Sequence, residues 1–193
     1  MTTYCTLEDV KQYVGTDKAT DDSLLNDLIT RASQRIDTYC QRVFVAEGAT
    51  RVFDAVQQVD GRTLLVDDDL LAVERITNGD GEDVAASAYV LLPANTTPKW
   101  AIKLKASSGV SWTYQTDPED AIEVEGTWGY ANTQPDDIHH AAIRLTAWFY
   151  HQRQAPFETQ GMPELGLVTV PADLPADIKA LLDPYVRQQL GGV

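Results

Sequence analysis

Two long helical signatures, Asp22–Phe44 and Gln134–Arg153, bracket a stretch that reads as strands. This arrangement is the strongest constraint on the fold, because neither helix can bury its apolar surface on itself. In the first, Leu25, Leu28, Ile29, Ala32, Ile36 and Tyr39 recur at helical spacing, with Leu24 and Cys40 widening the stripe. The pattern predicts a helix over 21–41. In the second, Pro135 sits at the start and Asp136 and Asp137 lie at the positive end of the helix dipole. It predicts a helix over 136–154. A short opening helix is expected after Thr6, a natural N-cap, with Val10, Tyr13 and Val14 as its apolar face and Gly15 as its stop. A last helix is expected near Leu174, carrying Ile178, Leu181, Leu182 and Tyr185, and shortened or kinked by Pro184.

Between the long helices lie six short β-like runs: 51–54, 63–66, 73–77, 88–92, 100–104 and 121–125. Asp60-Gly61, Asn78-Gly79 and Asp80-Gly81 supply turns. The expected fold class is α+β: a small bundle of about four helices with an inserted antiparallel β domain. The expected division is a helical body from 1–49 and 131–193, and a β-rich insertion over 50–130. Residues 155–173 hold three prolines and two glycines without a period, and read as a long loop.

On a helical wheel, residues 136–154 place Asp136, Asp137, His140, Arg144, His151 and Gln154 in a polar stripe. Ile138, Ala141, Ala142, Leu145 and Phe149 form a core stripe, while Ile143, Ala147, Trp148 and Tyr150 spread apolar surface over much of the rest. A helix this apolar around its girth is covered on more than one side. Either the rest of the chain supplies the second cover or another subunit does.

The chain has 193 residues and a net charge of −14. The acids are spread along it, and no Lys/Arg cluster supports binding to a phosphate backbone. A strongly acidic surface repels DNA. The apolar runs are too short to span a bilayer, and the start, Met-Thr-Thr-Tyr-Cys, lacks the pattern of a signal peptide. Cys5 and Cys40 make no disulfide framework, and reduced thiols are expected.

Catalytic and cofactor chemistry finds little support. His140 and His151 share a face but lie roughly 16 Å apart along a helix, and His139 and His140 diverge by about 100°. Asp136 and His140 are at i,i+4 spacing and form the only basis for a small metal-dependent hydrolase; no second ligand pair has standard spacing. No Gly-x-Ser-x-Gly elbow and no phosphate loop occurs. Asp67-Asp68-Asp69 reads as a solvated turn, since the Gly and distal Glu of a calcium loop are missing. Trp100, Trp112 and Trp128 could form a platform for a glycan or peptide, which leaves a binding module as an alternative. No cofactor, metal or catalytic residue is assigned.

Three stretches resemble the head–tail connector proteins of long-tailed double-stranded DNA phages, also called adaptor or head-completion proteins. One is Asp21-Asp22-Ser-Leu-Leu through Tyr39-Cys40-Gln-Arg-Val-Phe44. The second runs from Val124-Glu-Gly-Thr-Trp-Gly-Tyr130 through Pro135-Asp-Asp-Ile-His-His-Ala141 to Tyr150-His-Gln-Arg153. The third is Leu174-Pro175 with Ile178-Lys-Ala-Leu-Leu-Asp-Pro-Tyr185. Thr6 to Gly15 suits the family's usual opening.

The resemblance implies a non-enzymatic structural protein of the virion neck, made in the host cytoplasm. It implies a ring, usually dodecameric, that sits under the portal protein and extends the DNA channel. Such a ring docks a stopper or tail completion protein, and double-stranded DNA passes through it without specific binding. No membrane is involved. In this frame the helices over 21–41 and 136–154 form the ring body. Ile143, Trp148 and Tyr150 are the candidate subunit interface, and the tail Gln188, Gln189, Leu190, Gly191, Gly192 and Val193 is the candidate portal-docking segment.

Overall fold

The structure is a computed structural model, and it describes residues 2–154 and 174–187. It is an α+β fold with four α-helices and a six-stranded antiparallel sheet among the described residues. The chain partitions into two compact units: Met1–Gln41 with Gln134–Val193, and Arg42–Thr133.

The first unit is helical. Helix α1 spans Leu7–Val14. Thr6 and Asp9 form a reciprocal capping box at its start, and Gly15 ends it in the left-handed region at φ 73°. Its buried position is Val10, with Leu7 and Val14 half-buried, whereas Tyr13 is exposed. The inward face is therefore 7, 10 and 14, rotated from the expected 10, 13 and 14. Helix α2 spans Asp22–Cys40, after a 3₁₀ turn at Ala19–Asp21. Leu25, Leu28, Ile29, Ala32, Ile36 and Cys40 are buried as their spacing predicts, and Ser33 joins them. Ser33 is satisfied there: its hydroxyl donates to the Ile29 carbonyl and accepts the Tyr4 N–H.

Helix α3 spans Asp136–Gln154 and packs against α1 and α2. Helix α4 spans Ala176–Leu182 and gives way to a 3₁₀ turn at Asp183–Tyr185, where Pro184 removes the donor that an α-helix needs. Pro175 stands just before the first turn of α4. The segment 155–173, expected to be a long loop, lies outside the described residues.

The Tyr4 hydroxyl donates to the carboxylate of Asp37 on α2. Burial pushes that carboxyl up to about 6, against a smaller opposing pull from the Tyr4 hydrogen bond. A folded-state value above the unfolded one means that the native state holds the proton more tightly. The associated stability is present below the unfolded value and is lost as pH rises through about 6. Asp37→Asn keeps an acceptor for Tyr4 without the charge. It is expected to gain about 1 kcal/mol at pH 7, allowing for partial solvent screening of a half-buried site, and almost nothing at pH 4. Equal urea midpoint shifts at the two pH values would refute this.

The second unit is the sheet. Its strands are β1 Glu47–Phe53, β2 Val59–Asp60, β3 Thr63–Thr77, β4 Tyr89–Leu92, β5 Lys99–Leu104 and β6 Ile122–Trp128. The order is β1-β6-β3-β5-β4, with β2 paired to β3. Gly61, at φ 59°, makes the tight β2–β3 turn that Asp60-Gly61 predicts. The runs 63–66 and 73–77 are one long strand rather than two. Its first half pairs with β5 and its second half with β6, with register shifts between Leu65 and Leu70 and again beyond Leu70. One strand thereby serves two halves of the sheet, and the bulges turn it from one to the other. Phe53, Leu64, Leu70, Ile76, Ile102, Leu104, Ile122, Val124 and Trp128 share one core.

Asp67, Asp68 and Asp69 are not a solvated turn. They lie within β3 at its register break, and each carboxylate has a partner. Gln58 donates to Asp67 at 2.6 Å, Arg51 pairs with Asp68, and Arg42 pairs with Asp69 at 2.7 Å. Three consecutive acids persist in a strand because side chains from three other places in the chain reach them.

Candidate functional site

The apolar surface expected to meet another subunit lies on α3. Ile138, Ala141, Ala142, Leu145, Thr146, Ala147 and Tyr150 are buried. Thr146 tolerates burial because its hydroxyl donates to the Ala142 carbonyl at 2.7 Å. The burying arc is centred further round the helix than the wheel suggests. Phe149, expected in the core, is half-buried, while Ala147 and Tyr150 are inside.

Of the three expected interface residues, Tyr150 is committed within its own chain. It is 4% exposed, and its hydroxyl donates to Asp21 at 2.6 Å. Ile143 and Trp148 are half-buried. Trp148 sits with its ring centroid 5.3 Å from that of Phe149, and the Arg31 guanidinium lies 5.9 Å from the Phe149 ring.

Helix α4 accounts for the cover over the first turns of α3. Asp177, at its start, pairs with Arg144, and Tyr185, beyond its end, donates to Asp137 at 3.0 Å. The two helices thus run antiparallel, and Trp148 and Phe149 lie one turn beyond the start of α4. The far end of α4 is tied to α2, where Tyr39 donates to Asp183 and the Cys40 thiol faces the Leu182 carbonyl. The expected portal-docking residues 188–193 lie outside the described residues.

The residues considered for chemistry are dispersed. Asp136 and His140 are both exposed. His139 instead contacts Asp9 of α1 at 3.1 Å. Among the described residues no group of three His, Cys, Asp or Glu side chains could hold an ion. Both cysteines are buried, and burial pushes the Cys5 thiol up to about 11, which leaves it unreactive. No described helix is long and apolar enough to cross a membrane.

Trp112 and Trp128 belong to the β core, and their indole N–H groups donate to the carbonyls of Arg62 and Ala49. Only Trp100, 36% exposed, is on the surface, so the three tryptophans do not form a shared platform.

Sequence reading missed a second cluster. Arg42 pairs with Asp69 and stacks on Tyr130 with 5.3 Å to the ring centroid, and Arg51 pairs with Asp68 and stacks on Trp128 at 4.7 Å. The signal was available in part: three adjacent acids inside an apolar run demand cations from elsewhere.

With the helical unit, its half-exposed aromatic end and the inserted sheet in view, comparison with known proteins decides the family. The profile of the head completion protein family matches residues 3–188. The chain belongs to the head completion protein family. This agrees with the resemblance carried by the three stretches above.

Among solved structures, the chain is similar to a protein in the neck of an empty gene transfer agent particle computed with C6 symmetry, at 14% identity and TM-score 0.61. It is similar also to one in the neck of the native particle computed with C12 symmetry, at 17% identity and TM-score 0.58. A third, from the virion of the native particle, gives 18% identity and TM-score 0.60. Each alignment covers 96% of this chain and 91% of the other. At these identities the likeness shows the fold. No curated protein sequence matches.

Proposed function

We propose that this chain is a structural head–tail connector of a tailed, phage-like particle, working in the virion neck. The observation that carries the reading is the family match, which runs from residue 3 to residue 188 and takes in both the helical unit and the sheet. Its fold is that of proteins in particle necks solved with C6 and C12 symmetry. The role is non-enzymatic: the chain holds neighbours in place, and its chemistry is that of surfaces.

In this reading copies of the chain form a ring, a dodecamer, coaxial with the portal protein. A heterologous contact that closes by rotation produces such a ring. Ile143 and Trp148 on α3 are the proposed subunit contact, and Tyr150 supports them from inside by fixing α3 to Asp21. The tail Gln188–Val193 docks on the portal. The far face of the ring receives a stopper or tail completion protein. A net charge of −14 suits a channel through which DNA slides without adhering.

The test is cryo-electron microscopy of the chain assembled with its portal. A coaxial ring supports the reading, and a chain that never associates with the portal refutes it. Two variants refine it. Removing 188–193 is expected to weaken portal binding at least tenfold while leaving the thermal midpoint unchanged, measured by co-sedimentation and circular dichroism. Trp148→Glu is expected to abolish the ring and leave a folded chain, because an unpaired charge would enter the contact. A Trp148→Glu ring of normal size would remove α3 from the interface.

A further inference from the structure

The longest acid-free run in this acidic chain is Val84–Thr116, and it carries three lysines, Lys99, Lys103 and Lys105. It contains β4 and β5, so one part of the sheet is cationic in a chain of charge −14. Strand register sorts the side chains there. Leu64, Ile102 and Leu91 stand side by side and face the core. The ranks on either side point the other way: Leu65, Ala101 and Leu92, then Thr63, Lys103 and Val90. Leu65 and Val90 are 39% and 40% exposed, and Lys103 is exposed between them and Leu92. Lys99 and Lys105 donate to the Pro93 and Ser87 carbonyls at 2.6 and 2.7 Å. Asp67, the nearest carboxylate along β3, accepts from Gln58. The outer face of β3, β5 and β4 is therefore a lysine set among apolar side chains.

The opposite side of the same sheet has the opposite character. Its core face is covered by Val84, Ala88, Val110, Trp112 and Ala121. The loops that bring in these residues carry exposed acids, Glu82, Asp83, Asp117, Glu119 and Asp120, and an exposed ring, Tyr114, at 44%. The two loops are fastened to each other. The buried Asn78 side chain donates to the Ser111 carbonyl at 2.9 Å and accepts the Thr113 N–H at 3.2 Å, and the Gln115 N–H donates to the Gly79 carbonyl at 3.1 Å.

We propose that the outer face of β3, β5 and β4 in one copy docks on this acidic loop layer of the next. Lys103 meets the carboxylates of Asp117 and Glu119, and Leu65 and Val90 cover Tyr114. The inference rests on the ring reading above and adds a joint between β units to the α3 contact. Successive copies in a ring of twelve turn by only about 30°, so the two halves of a head-to-tail joint must point in nearly opposite directions on each copy. The two sides of one sheet do so, and two patches on the same side could not. Copies with a charge of −14 repel each other, and the acid-free run is where a copy offers its neighbour the other sign. The apolar side chains around Lys103 exclude water from the pair and strengthen it.

Charge exchange tests this, with rings counted by negative-stain microscopy of the chain assembled with portal. One variant is Lys103→Glu, and the other combines Asp117→Lys with Glu119→Lys. Each alone is expected to lower ring yield about tenfold or more, because like charges then face each other across every joint. Circular dichroism is expected to give both the thermal midpoint of the wild type, since all three positions are exposed. An equal mixture of the two variants is expected to restore rings, because unlike charges meet at every joint when the two kinds alternate. Rings at the wild-type yield from either variant alone overturn the joint and leave the ring reading standing. A mixture that assembles no better than its components also overturns it. So does a Lys103→Glu chain that keeps its rings but no longer holds the portal, which would assign the face to the portal. Absence of rings from the unaltered chain refutes the ring reading itself, and the joint falls with it.

Discussion

Asp69→Ala is expected to cost about 3 kcal/mol, because it leaves the Arg42 guanidinium buried without its counter-charge. The side chains of Arg42 and Asp69 are 16% and 8% exposed, and they meet at 2.7 Å. The Arg42 Nε is already buried without a hydrogen-bond partner, so the guanidinium has little reserve when its carboxylate is removed. Asp69 also accepts the Gly129 N–H on its main-chain carbonyl, which fixes β3 against the end of β6. Asp69→Asn should cost less, since an acceptor remains. A double change of Arg42→Met with Asp69→Leu should recover most of the loss, because apolar residues of similar volume remove both desolvation penalties. Urea unfolding followed by the fluorescence of the buried Trp112 and Trp128 reads all three. An Asp69→Ala loss below 1 kcal/mol would mean that water reaches Arg42 freely.

The helices were legible because their instructions are local. Thr6, Asp9 and Gly15 set the bounds of α1 within ten residues of chain, and the period of Leu25 to Ile36 declares the buried face of α2. Where sequence reading erred, a long-range partner decided. Asp67-Asp68-Asp69 has turn-like composition, and Gln58, Arg51 and Arg42, brought close by folding, let it stand as strand. Tyr150 has the outline of an interface aromatic, but Asp21 offers its hydroxyl an acceptor inside the same unit. Strand order was not legible either, because β3 changes partner through bulges that no periodicity announces. The candidate interface was legible only as a surplus. The wheel of α3 holds more apolar surface than one core needs, and Trp148 and Ile143 are what remains once Tyr150 and Ala147 are placed.

Gly126→Ala is expected to cost about 3 kcal/mol, and Gly126→Val more, although valine favours strands and glycine weakens them. Gly126 is opposite Ala49 on one side and Val73 on the other, and a Cβ there would stand 2.4 Å from the Ala72 carbonyl oxygen. That obstacle is main chain, so no rotamer change relieves it. β3 would have to withdraw from β6 at the place where its register already shifts. Gly48→Ala is the control: it lies in the same sheet, and a Cβ there meets nothing within 4 Å. It is expected to stay within about 0.5 kcal/mol of the wild type. If Gly126→Ala matches Gly48→Ala in stability, the Ala72 carbonyl yields without cost and the β3–β6 junction is a soft joint rather than a fixed one.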